Sequence, residues 1–142
     1  MPASLSPDKR AEYARDRFLF TVRVIDDVAA RAWRARIEAL EARYPPGSLP
    51  QPLNQYFRIN GQVVLPLLAE IARMPSVLDA VQSILGPDLL MWSCELFIKE
   101  VHSAKVVSWH QDLTYWGMGE TDEQVTAWIA LSPATIASGC MK

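Results

Sequence analysis

Gly86-Pro87 stands where the hydrophobic period of the chain changes, and that change most limits what the chain can fold into. Before it, apolar residues recur at helical spacing. After it, 89-LLMWSCELFIKEV-101, 106-VVSW-109 and 125-VTAWIALS-132 carry the aromatic and β-branched residues of strands. In the last of these, Thr126, Trp128 and Ala130 share one face, and Val125, Ala127, Ile129 and Leu131 the other. Both faces are apolar enough for the wall of a sandwich or barrel. The expected class is α+β in one domain, with a mainly helical part over 1–88 and strands over 89–142.

Local punctuation predicts the helices. Ser6 suits an N-cap, Pro7 the first helical position and Asp8 the first turn, so a helix is expected from Pro7 to about Asp16. The run 18-FLFTVRVI-25 reads as a strand. Asp26-Asp27 then caps a helix over 28–44, with Trp33, Ile37, Leu40 and Tyr44 on one face and charged residues over most of the rest. Pro45-Pro46-Gly47 stops it, and 45-PPGSLPQPLNQ-55 is a loop. Tyr56, Phe57 and Ile59 form a short extended piece. Two short helices follow, Leu65–Arg73 and Ser76–Leu85, the second ended by Gly86-Pro87.

Bulk properties narrow the function. The 142 residues fit one domain, and half are hydrophobic, enough for a core. A formal charge of −2 argues against nucleic acid or an anionic membrane as a partner. Apolar runs fall short of the ~18–20 residues of a membrane span, and the N-terminus lacks the apolar block of a signal peptide. Cys94 and Cys140 form no C-x-x-C and read as small buried hydrophobes, with a cytoplasmic setting expected.

One constellation carries chemistry. In 106-VVSWHQDLTYWG-117, His110 and Asp112 are two residues apart. On a strand, such residues point to the same face and aim an imidazole nitrogen and a carboxylate oxygen at one point. That supplies two of the three ligands of a facial triad, which leaves open positions on non-haem Fe(II). On spacing alone, an ordinary His–carboxylate contact near a turn competes with this reading.

The wider setting resembles the phytanoyl-CoA dioxygenase family, Fe(II)- and 2-oxoglutarate-dependent oxygenases on a double-stranded β-helix (jelly-roll) fold. The resemblance rests on WHQDLTYWG, on the strand form 127-AWIAL-131 and on the small-residue turn 138-SGCM-141, and it is specific from about Leu89 to Met141. It implies His110 and Asp112 as iron ligands, and Gln111 and Trp128 lining the 2-oxoglutarate pocket. It also implies Tyr115 and Trp116 at the substrate cavity, where plain packing is the competing reading. Lys99 is either a cosubstrate-carboxylate residue or a surface lysine. Family relatives that halogenate replace the carboxylate ligand with a small residue, so Asp112 implies hydroxylation. The implied reaction uses O₂ and a small organic or acyl substrate and yields succinate and CO₂.

The family's distal histidine and 2-oxoglutarate-binding arginine have no counterpart in the chain. His102, the only other histidine, reads as a turn residue. The chain is therefore expected to be the N-terminal part of a longer oxygenase, holding the first strands of a truncated jelly roll. Two alternatives stay open: a catalytically inactive jelly-roll fragment that binds a small molecule or partner, and a chain that completes its barrel with a second subunit.

Overall fold

The structure is a computed structural model that describes residues 4–104, 106–121 and 123–141. Its helices are α1 (Pro7–Asp16), α2 (Asp27–Arg43), α3 (Leu53–Tyr56), α4 (Gly61–Val64), α5 (Pro66–Ala72), α6 (Pro75–Leu85) and α7 (Asp112–Trp116). The local signals explain where they begin and end. The Ser6 side chain accepts the backbone N–H of Lys9, with Pro7 at the first turn, and Arg17 closes α1 in the left-handed conformation. The Asp26 carboxylate accepts the N–H of Ala29 and starts α2. Gly86, at φ +89, ends α6 with its N–H on the Gln82 carbonyl.

The core sits among these helices. Ile37 of α2, Phe57, Leu67, Leu68 and Ile71 of α5, and Val77 of α6 are its buried side chains. Ile37 lies on the expected face of α2, and Trp33, Leu40 and Tyr44 flank it half-buried. Arg36 of α2 and Glu70 of α5 pair across the outside of this packing at 2.9 Å. The Ser83 hydroxyl of α6 accepts the Leu5 N–H and so ties the N-terminal segment to the core. Among the described residues, no helix is long and apolar enough to cross a membrane.

The expected strands do not form. Among the described residues there is no β-strand, so the α+β class with the opening strands of a jelly roll is incorrect. The physical reason is pairing. A strand exists only when its N–H and C=O groups meet a neighbouring strand. Among the described residues, no backbone hydrogen bond joins any two of the segments 18–25, 89–101, 106–109 and 125–132. None of their apolar residues is buried, and Phe18, Phe20, Val106 and Trp109 lie mostly in water. Composition marked them as able to be strands, but the partner is a separate requirement.

One piece of the second half does dock. The Gly61 N–H donates to the Cys94 carbonyl at 3.0 Å, and the Leu96 N–H donates to the Phe57 carbonyl at 2.9 Å. The Cys94 N–H donates to Gln62 Oε1, and the Asn60 N–H to Ser93 Oγ. Residues 93–96 thus run antiparallel to 57–62 and spend their hydrogen bonds on a turn and the start of α4. Gly61 permits this approach. A Cβ there would lie 3.1 Å from the Cys94 carbonyl oxygen and collide with Leu68 Cδ1 at 2.5 Å. The expected extended piece around Tyr56 is also corrected: Tyr56 ends the single turn α3, and Phe57 is 1% exposed.

Candidate functional site

The site grows from a short extended stretch that runs into a one-turn helix. Gln111 has extended backbone, φ −116 and ψ 124, so His110 and Asp112 still project to the same side although no strand carries them. Asp112 is the first residue of α7. Gly117 closes that turn at φ +62, a conformation that favours glycine.

His110 is anchored through one ring nitrogen. Nδ1 lies 2.7 Å from the Ser108 carbonyl oxygen. A carbonyl only accepts, so Nδ1 carries the proton and donates it. In the neutral ring, Nε2 then presents its lone pair, and it stands 3.2 Å from Asp112 Oδ1. Two lone-pair groups at that distance repel unless a proton or a metal cation lies between them. An Nδ1–H anchored on a backbone carbonyl is also the arrangement that orients imidazole for metal binding through Nε2.

Asp112 has a second partner. Thr126 donates its hydroxyl proton to Asp112 Oδ2 at 2.7 Å. The side chains of His110 and Asp112 are 37% and 31% exposed, so the pair is reachable from solvent. Beside it lies a shallow, largely open depression of about 480 Å³ lined by Trp109, His110, Gln111, Thr114 and Tyr115. Tyr115 meets the His110 ring edge-on, with centroids 6.1 Å apart.

The expected site residues divide into two groups. His110, Gln111, Asp112 and Tyr115 come together at the depression or against it. Trp116 packs on Trp92 with centroids 6.4 Å apart, and it does not line the depression. Lys99 lies over the turn formed by 135–140, where a side chain on Gly139 would run into its Cδ and Cε. Trp128 is 48% exposed and is not among the lining residues. His102 occupies the left-handed third position of a turn closed by the Ser103 N–H on the Glu100 carbonyl.

Two contributors escaped the sequence reading. The Ser108 carbonyl leaves no sequence signal, because any residue supplies one. Thr126 is visible in the sequence as a hydroxyl on the Trp128 face of 125–132, but no pattern ties it to Asp112. A metal site needs more than this pair. Among the described residues, no cluster of three His, Cys, Asp or Glu side chains could hold an ion. The donor chemistry of His110 and Asp112 fits a divalent iron, as two ligands of a set.

Comparison with known proteins places the chain. The family model described as Phytanoyl-CoA dioxygenase (PhyH) matches residues 13–142. Two curated relatives, each named ectoine dioxygenase, come from Bordetella parapertussis and Bordetella bronchiseptica. Each is 27% identical over 123 residues, covering 80% of this chain and 39% of the relative. The chain thus spans about two fifths of the length of these relatives. No solved structure matches it.

Proposed function

The chain belongs to the phytanoyl-CoA dioxygenase family, and from that membership we propose that it carries the His-x-Asp half of an Fe(II) site. The whole protein, in this reading, is a 2-oxoglutarate-dependent dioxygenase that hydroxylates a C–H bond of a small organic molecule. The carrying observation is the His110–Asp112 pair, with Nδ1–H fixed on Ser108 and Nε2 facing the carboxylate. Iron and 2-oxoglutarate, when bound, supply the oxidation.

The residues of the chain supply position and access. Ser108 holds the imidazole in the tautomer that leaves Nε2 free, and Asp112 brings negative charge that favours a cation at the same point. Gln111 and Thr114 offer hydrogen-bonding groups to a polar cosubstrate or substrate in the depression. Trp109 and Tyr115 give it apolar walls. Trp116, Trp128 and Lys99 lie outside these lining residues, so the proposal rests on the four residues gathered around His110.

The test is 2-oxoglutarate turnover in the complete protein, with ectoine first among the small-molecule substrates because two relatives bear that name. His110→Ala should abolish iron-dependent succinate formation while the far-UV circular dichroism is retained. Unchanged turnover in that variant removes the assignment. Retention of 2-oxoglutarate by the unaltered protein without turnover moves the reading to a non-catalytic binding module.

A further inference from the structure

We infer that Thr126 is a positioning residue that sets the plane of the Asp112 carboxylate, and with it the direction of the oxygen that faces His110. The inference rests on the reading of Asp112 as a metal ligand. Asp112 begins a single helical turn, so its backbone is fixed by α7, but the carboxylate torsion of an aspartate is broad and roughly two-fold. One hydrogen bond selects the orientation, the one to Oδ2. Oδ1 stands 3.2 Å from His110 Nε2, and Oδ2 accepts the Thr126 hydroxyl at 2.7 Å. The latter is a short O–H donation to a carboxylate, the stronger kind of hydrogen bond.

The hydroxyl is itself directed. Gln124 Nε2 stands 3.5 Å from Thr126 Oγ1 and offers it a proton. A threonine hydroxyl has one proton, so accepting from Gln124 turns that proton toward Asp112. Thr126 lies 14 residues from Asp112, and its hydrogen bond joins the segment 125–132 to the site. Without it, the carboxylate is free to turn Oδ1 away from the point it shares with Nε2. Groups that hydrogen-bond to metal ligands typically control affinity by about 10–100-fold.

The test is anaerobic titration of the complete protein, which supplies the remaining ligand, with Fe(II), and with Co(II) as a spectroscopic probe. Four proteins are compared: unaltered, His110→Ala, Thr126→Val and Thr126→Ser. Valine keeps the branched shape and removes the hydroxyl, whereas serine keeps the hydroxyl. Thr126→Val should weaken binding by about 10–100-fold and change the Co(II) ligand-field spectrum, and Thr126→Ser should restore both. If Thr126→Val binds like the unaltered chain while His110→Ala does not bind, the positioning role is wrong and the metal-ligand reading survives. Equal weakening by valine and serine also overturns the role, since the hydroxyl is then not the operative group. If the unaltered chain takes up no metal, or His110→Ala takes up as much, both readings fall.

Discussion

Residues 27–85 bury Ile37, Phe57, Leu67, Leu68, Ile71 and Val77, whereas residues 97–141 leave Phe97, Val106, Trp109, Tyr115 and Ile136 mostly in water. Both regions are rich in large apolar side chains. They differ in how the backbone is satisfied. A helix closes its own hydrogen bonds, so α2, α5 and α6 need only bring their apolar faces together. An extended segment satisfies nothing by itself, and where no ladder forms its side chains have no fixed surface to pack on. The site lies in the second region, held by a few side-chain hydrogen bonds on one helical turn. The stability of the chain and its chemistry therefore sit in different places.

The largest expected effect breaks this comparison most directly. Leu68 is 1% exposed, and Leu68→Ala should destabilise the chain by about 2–5 kcal/mol through lost burial and the cavity left behind. Trp109 is 87% exposed, and Trp109→Ala removes a larger side chain yet should stay within about 0.5 kcal/mol. Urea unfolding of the two variants measures both. A Trp109 effect as large as that of Leu68 would mean that the second region buries its aromatics in solution. A smaller effect is expected at the junction. Gly61→Ala pushes a methyl group toward Leu68 Cδ1 and the Cys94 carbonyl, and should cost about 1–3 kcal/mol. Hydrogen exchange should then quicken at Leu96, whose N–H depends on this docking.

These magnitudes follow the same division as legibility. The cap at Ser6-Pro7, the Asp26 cap with Ile37 on the inner face of α2, and the Gly86 stop of α6 could be read because each is decided within a few residues. The strand expectations for 18–25, 89–101, 106–109 and 125–132 failed because a strand depends on a partner that composition does not name. Phe57 was misplaced for a related reason: it follows the single turn α3 instead of lying in an extended piece, and its carbonyl is taken by the Leu96 N–H from a distant part of the chain. At the site, the His110–Asp112 contact was legible because extended backbone at Gln111 is enough to keep i and i+2 on one side. The Thr126 hydrogen bond was not, since it crosses from one segment to another.

The smallest effect sharpens the comparison at residues 93–96, the one stretch of the second region drawn against the core. Burial, reinforced by the charge of Glu95, pushes the Cys94 thiol above the usual cysteine range. Its Sγ lies 3.7 Å from the Leu68 carbonyl, to which the protonated thiol donates. The thiolate is the reactive form, so a raised pKa leaves less of it at any pH below that pKa. Iodoacetamide at mildly alkaline pH should label Cys94 several-fold more slowly in the folded chain than in denaturant, as read by peptide mass. The gap should narrow as pH rises. Gly61→Ala should close it without unfolding the helices, because Cys94 is shielded only while its segment stays docked. Labelling of Cys94 in the unaltered chain at the rate seen in denaturant would place 93–96 in solvent and leave the packing, among the described residues, to the helical core.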